Sequence, residues 1–480
     1  MTHGTARQDV GAALGRAYRE SLSYLEGLEG ASVASVRDLD DVRQALGGAL
    51  PHSGLNPETV IASLIEATAG GHLGSAGGRF FGWVIGGALP AALAADWLVS
   101  TWDQNAASVA TGPAAAAVEE VAAGWVKELL GLPGAASFAF TTGCQMAHAT
   151  CLAAARSELL ARRGWDADER GLAGGPVVRI LSTDQVHGSV ERAARLLGLG
   201  RASIMTVPAD AAGRMRQADL EKQLASDAPT IVLLQAGDLN MGAFDDFEAL
   251  IPIARGRGAW VHVDGAFGLW LAASPRHRHL LEGVAQADSW ATDCHKWLNV
   301  PYDSGVAIIA HPEPHRRSMA TRASYLTHAE DGRDAMDWTA EWSRRARAFP
   351  VYAALRQLGR QGLAELLERN CKAASDIARR IGALPGAELL WKPAINQGLV
   401  RFLSSDPDAS QAMHDRRTEA VIEKINASGE AFFTGTSWRG MRAMRISVCN
   451  WRTSEADVDR AVAAAEQAVC ELGGEPPRAA

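Results

Sequence analysis

Apolar runs short enough to be strands alternate with longer stretches of helical period through most of the chain. FAF at Phe138, VVRILS from Val177, TIVLLQ from Thr230 and WVHVD from Trp260 have the continuous hydrophobicity of strands buried on both faces. Between them, Pro113 to Pro133 and the Ala-rich stretch after Gly143 repeat their apolar positions at helical spacing, and Pro113 stands where a first-turn proline is tolerated. A strand, loop and helix are expected from Val177 to Gly200. Residues Val10 to Leu50 carry Tyr18, Leu22, Tyr24 and Leu25 at helical spacing and end at the breaker PHSGLNPET. After Arg344 to Arg347 a long amphipathic helix marks the change to a smaller unit. There AELLWKPAI, QGLVRFL, AFFTGTSW and AMRISVCN read as strands, with helices from about Glu419 to Ser428 and up to about Gly473. The polar, weakly patterned stretch Ser318 to Pro350 reads as a mobile loop. The pattern is that of an α/β protein.

A chain of 480 residues exceeds one ordinary domain, so two or three are expected. A net charge of −8 supplies no basic face for nucleic acid. The six cysteines, at 144, 151, 294, 371, 449 and 470, form no CxxC pair and no zinc-like spacing, which suits a reducing compartment. The first twenty residues lack the apolar core of a signal peptide, and no uncharged apolar run would span a bilayer. The expectation is a cytoplasmic protein with no membrane partner.

The candidate chemistry centres on ADSWATDCHKWLNVPYDSG, Ala287 to Gly305. Lys296 lies in an apolar, tryptophan-flanked segment. Burial there is expected to lower its pKa and leave free amine for attack on a carbonyl. Upstream, VHVDGAFG places Asp264 at the end of a buried strand, where a carboxylate needs a cationic partner. A protonated pyridine nitrogen would be one, and a lysine with such a carboxylate is the pair that pyridoxal 5'-phosphate requires.

From about GRFFGWVIGG to CNWRTSEADVD the chain resembles the group II pyridoxal-phosphate decarboxylases, which include aromatic amino acid and glutamate decarboxylases. The resemblance implies fold type I, with a seven-stranded, mostly parallel sheet in a large domain. A small C-terminal α/β domain and an N-terminal helical segment complete it, with boundaries at 1–100, 101–355 and 356–480. It implies a homodimer whose N-terminal segment packs over the partner subunit. Thr142, Gly143 and the Gln145 backbone would grip the cofactor phosphate at a helix N-terminus, with His295 and Thr292 near it. His187 would stack on the pyridine ring, Asp264 would meet the ring nitrogen, and Ala266 would leave room for the ring. Phe80, Phe81 and Trp83 would shape the substrate pocket, and Arg445 would pair with the substrate carboxylate. Tyr325, in ASYL, would return a proton to the α-carbon.

The chain departs from the family pattern at several positions. Gly77 and Gly78 stand where relatives usually have His-Pro, Cys144 and Gln145 where Gly and Ser or Thr are usual, and Gly188 where a serine is usual. Asp238 replaces a common threonine and Asp293 a common asparagine, each adding negative charge near the expected site. Because a carboxylate would repel a phosphate, Asp293 is expected to point elsewhere. The HVD run has no supporting ligand spacing, so no metal site is expected.

The implied reaction is decarboxylation of an L-amino acid, aromatic or otherwise apolar, to its amine. Other pyridoxal-phosphate reactions on the same scaffold are the alternative: aldehyde synthesis, carbon-carbon cleavage or transamination. A cofactor-free binding protein is a more distant one.

Overall fold

The computed structural model describes residues 3–321 and 332–473. Seven strands form the larger sheet: β1 Ser137–Thr141, β2 Arg179–Ser182, β3 Ile204–Thr206, β4 Thr230–Gln235, β5 Trp260–Asp264, β6 Ser289–Asp293 and β7 Gly305–Ile309. Their spatial order is β1-β7-β6-β5-β4-β2-β3. All neighbours run parallel except β7, which is antiparallel to both β1 and β6. β1, β4, β5, β6 and β7 are buried at every residue, which explains the apolar runs of β4 and β7; β1, β5 and β6 also bury Ser, Thr, His and Asp side chains.

The buried helix Cys144–Ala161 covers one face; Ala147, Cys151, Leu152 and Ala155 lie in the same core as Ala139, Ile231, Leu233 and Ala291. On the other face Val232, Leu234, Val261 and Val263 join Ala122, Val126 and Trp270. Alternate residues of β4 and β5 thus feed two different cores, as the period of two along a strand requires.

The smaller sheet is wholly antiparallel: β8 Ala387–Trp391, β9 Gln397–Phe402, β10 Thr434–Trp438 and β11 Met441–Ser447, in the order β10-β11-β9-β8. Helix Ala348–Gly382 ties the two units together. It turns at Gly359 (φ 61°), then contributes Leu363 and Leu367 to the larger core and Ala374, Ile377 and Ile381 to the smaller. A residue with φ in the left-handed region is tolerated there because it is glycine. The expected large-to-small boundary at 355 lies four residues before this turn.

The helical N-terminal stretch comprises His3–Gly27 and Leu39–Leu46, with Pro57–Thr68 following in and after the breaker. One expectation is revised: Ser318 to Pro350 is not a free loop throughout. Asp334, Ala335, Met336 and Asp337 are buried, and the Arg333 guanidinium lies 3.9 Å from the Phe138 ring centroid. Tyr325 lies outside the described residues. Among the described residues no helix is long and apolar enough to cross a membrane.

Candidate active site

The candidate site lies at the carboxyl ends of β5 and β6, where open α/β sheets expose loop residues to ligands. β5 ends on Asp264 and β6 on Asp293; the chain then turns through Cys294 and His295 to Lys296 before β7 begins at Gly305. The turn is clamped from three directions. Trp297 is fully buried and donates from Nε1 to Asn370 Oδ1 at 3.0 Å. Asn299 takes the left-handed conformation (φ 56°), and its Oδ1 accepts from the Gly87 and Trp451 amides at 2.7 and 2.9 Å. Its Nδ2 donates to the Trp297 and Cys449 carbonyls. Gly86 lies so close that a Cβ there would be 1.9 Å from the Lys296 carbonyl oxygen. The glycines of the GRFFGWVIGG stretch thus permit close approach of two backbones.

Lys296 Nζ lies 3.0 Å from Asp293 Oδ2, and the other carboxylate oxygen accepts from the Cys144 amide at the start of helix Cys144–Ala161. His295 Nε2 is 3.5 Å from the same Oδ1. The expectation that Asp293 points elsewhere is therefore corrected, and so is the expected depression of the lysine. Burial alone would push Lys296 down, but the Asp293 charge outweighs it and holds the ammonium above the ordinary lysine range. His295 is pushed below the usual histidine value by burial, with Asp293 opposing.

Asp264 is buried, with Oδ1 accepting from the Ala266 amide at 3.1 Å. Burial pushes its carboxyl up, yet the imidazoles of His148 and His187 and the Lys296 ammonium outweigh that and hold it below the usual range. His187 caps helix Gly188–Leu196, Nδ1 accepting from the Ser189 amide at 3.2 Å. The residue is exposed at the surface, but burial of the ring by the surrounding chain pushes it below the usual histidine value, with Asp264 opposing. Lys296, Asp264 and His187 are thus close enough to act on one another's charge.

At the expected phosphate position, Gly143 precedes the helix, and Gly305 lies against it so tightly that a Cβ would be 2.6 Å from Gly143 Cα. Because Asp293 takes the Cys144 amide, the Gln145 and Met146 amides are the donors there without an intrahelical carbonyl. The Gln145 side chain accepts from Arg192 at 3.4 Å, and Thr142 is partly exposed. Thr292 is fully buried, and its Oγ1 has no hydrogen-bond partner among the described residues.

The aromatic stretch divides. Phe81 is fully buried against Phe433 in the small-sheet core, which leaves no face of its ring for a substrate. Phe80 is also buried, stacked on Phe432 at 4.7 Å, whereas Trp83 is 51% exposed and lies 5.3 Å from Phe432. Arg445 sits on β11, buried. Burial pushes its pKa down to about 10, against the opposing charge of Asp238, and its Nε has no hydrogen-bond partner among the described residues. Asp238 itself organises a turn, accepting from the Asn240, Met241 and Ala243 amides.

Several site residues were missed in the sequence. Tyr302 stacks on His295 with centroids 4.3 Å apart and is 60% exposed. Its place in the NVPYD run after the lysine was an available signal. Asn299 and Gly86 gave none. Cys144, His148 and Asp264, distant in sequence, have potential ligating atoms within 4.8 Å of one another.

The donor set fits pyridoxal phosphate: an amine for its aldehyde, a carboxylate for its ring nitrogen, an imidazole near both, and helix amides for its phosphate. A model of the pyridoxal-dependent decarboxylase conserved domain matches residues 76–404. Aromatic-L-amino-acid decarboxylase of Bacillus atrophaeus is 24% identical over 442 residues, 90% of each chain. L-2,4-diaminobutyrate decarboxylase of Rhizobium meliloti (strain 1021) is 29% identical over 79% of this chain and 76% of its own. The crystal structure of Oryza sativa TDC with PLP and tryptamine superposes with a TM-score of 0.90 at 23% identity, covering 97% of this chain and 98% of that one.

Proposed function

The chain belongs to the pyridoxal-dependent decarboxylase family, and on that premise we propose that it removes the α-carboxylate of an L-amino acid with an aromatic or other apolar side chain. It is a pyridoxal-phosphate-dependent carboxy-lyase. In the overall reaction the amino acid takes up one proton and releases carbon dioxide and the amine.

Pyridoxal phosphate, when bound, supplies an aldehyde for a primary amine and an electron-poor ring that accepts the electrons left as carbon dioxide departs. Lys296 is the amine that holds the cofactor and gives way to the substrate. Asp293, its partner at 3.0 Å, holds the ammonium in place before the cofactor is captured. Asp264, ionised, would meet the ring nitrogen and favour its protonated form. His187, neutral at neutral pH, would pack against the ring, orienting it and limiting water. Arg445 holds the substrate carboxylate, a role its unpartnered Nε supports. Tyr325 delivers the proton to the α-carbon, which makes the product an amine; its loss would favour the aldehyde route.

The single observation carrying this reading is that Asp264, at the end of β5, and Lys296, in the turn after β6, stand at the carboxyl ends of adjacent parallel strands. The aromatic preference draws support from the exposed Trp83, three residues before Gly86 and its contact with the Lys296 backbone, and from Tyr302 on His295. Val10, Leu14, Tyr18 and Leu22 leave the first helix with exposed apolar side chains, which supports a homodimer.

The test is carbon dioxide release from each common L-amino acid by the cofactor-loaded protein, with Lys296→Ala as control. Release confined to aromatic or apolar substrates is expected. Preference for an acidic or basic amino acid would overturn the substrate assignment, and full release by Lys296→Ala would overturn the site.

A further inference from the structure

Four polar side chains that none of these steps uses form a buried chain ending at Asp264. His148, on helix Cys144–Ala161, and His262, on β5, are both fully buried. His148 Nε2 lies 3.6 Å from Asp264 Oδ2 and 3.4 Å from Cys144 Sγ. Its Nδ1 is 2.8 Å from His262 Nε2, and His262 Nδ1 is 2.9 Å from Ser289 Oγ. Trp260 Nε1 donates to the same Ser289 oxygen at 2.9 Å. The spacings explain the convergence: His262 and Asp264 share one face of a strand, and Cys144 and His148 one face of a helix.

The carboxylate at its end gives the chain a direction, since a hydroxyl with two lone pairs and one proton meets either state of His262 Nδ1. An ionised carboxylate only accepts, so the His148 proton sits on Nε2, the nitrogen facing Asp264. His262 is then protonated on Nε2 and donates to His148 Nδ1. An indole N–H can only donate, so Ser289 Oγ accepts from Trp260 and has its own proton to give to His262 Nδ1. The reverse order would aim a lone pair at Asp264. With Nε2 protonated, the grouping of Cys144, His148 and Asp264 has no imidazole lone pair to offer a metal.

We propose that His148 is a positioning residue for Asp264: the Trp260–Ser289–His262 chain supplies the donor to its Nδ1, and its Nε2–H keeps the carboxylate ionised and directed at the cofactor ring nitrogen. This rests on the reading of Asp264 given above. Burial pushes both imidazoles below the ordinary value, His262 to about 3, so the chain acts through aligned dipoles rather than a charge. The other titratable groups acting on His148 are Asp293 and Lys296, and on Asp264 they are His187 and Lys296.

The test loads the protein with pyridoxal phosphate carrying a nitrogen-15 ring label and follows that nucleus by solid-state NMR from neutral to alkaline pH. Wild type and His148→Gln, which keeps an N–H donor, are expected to hold the protonated ring. His148→Phe should lose that proton at a pH lower by about one unit or more, with kcat reduced about tenfold and KM held within about twofold. If His148→Phe follows the wild-type titration, the proposal is overturned. Asp264→Asn separates the two readings: a shift in Asp264→Asn without one in His148→Phe defeats only the role of His148. No shift in either defeats Asp264 as the ring partner as well. Should His148→Phe not fold, His262→Phe removes the donor to His148 Nδ1 and must move the titration in the same direction; no movement overturns the proposal.

Discussion

Asp293 Oδ2 stands 3.0 Å from Lys296 Nζ while its partner oxygen takes the first amide of helix Cys144–Ala161. One carboxylate thereby answers both the ammonium and the positive end of a helix dipole. The lysine is held charged until its proton moves, so Asp293 sets how readily the cofactor is captured. Asp293→Asn should lower the lysine pKa, and each tenfold weakening of proton affinity raises the free-amine fraction about tenfold. The rate at which cofactor-free protein turns yellow on mixing with pyridoxal phosphate should then reach its plateau at lower pH. An unchanged pH profile would remove Asp293 from this role.

Gly86→Ala would place a methyl group 1.9 Å from the Lys296 carbonyl oxygen, against backbone that Asn299 and Trp297 hold in place. A loss of about 2 to 3 kcal/mol in unfolding free energy is expected, with cofactor binding weakened in proportion. Denaturant unfolding and a cofactor titration check both; wild-type values in each would show that the two segments move apart freely.

Glu119 and Arg344 form a buried ion pair, and Arg344 also donates to the Phe140 carbonyl at 2.7 Å, joining helix Pro113–Leu129 to the end of β1. Glu119→Ala leaves a buried guanidinium without its counter-charge and should cost about 3 kcal/mol or more. A midpoint in urea equal to wild type would contradict the pairing.

His262 and His315 are buried neutral, each pushed from 6.5 to about 3 chiefly by burial. The unfolded chain binds these protons first, so the stability they carry is complete above pH 6.5 and drains as pH falls toward 3. Each contributes a slope of up to about 1.4 kcal/mol per pH unit in that window. His315 sits between Ser137 Oγ and the Trp338 carbonyl at 2.8 and 2.9 Å. His315→Gln should flatten the acid limb of stability against pH, and an unaltered slope would refute that account.

Tyr325→Phe should convert part of the product from amine to aldehyde, with oxygen consumed and hydrogen peroxide released. Product analysis by chromatography and an oxygen electrode would read it. An unchanged amine yield removes Tyr325 from proton delivery.

The strands were legible because burial on both faces favours apolar runs, as in β4. Lys296, Asp264 and His187 stood out as candidates because their chemistry fits one cofactor and their neighbours in sequence form recognisable motifs. Phe81 shows the limit of that reasoning: an aromatic in a glycine-rich stretch fits a pocket wall or a core equally well, and only packing against Phe433 places it in the core. Asp293 shows it again, since sequence reveals that a carboxylate is present but not which cation it meets. Contacts such as Asn299 with Gly87, or His148 with His262, join residues separated by 212 and 114 positions. The amino-acid order determined the elements, their alternation and which side chains are candidates for reaction, because these depend on local periodicity and side-chain chemistry. Which charges are paired, which protons are fixed and which aromatic faces stay open was decided by tertiary structure, because burial and distance exist only once distant segments have packed.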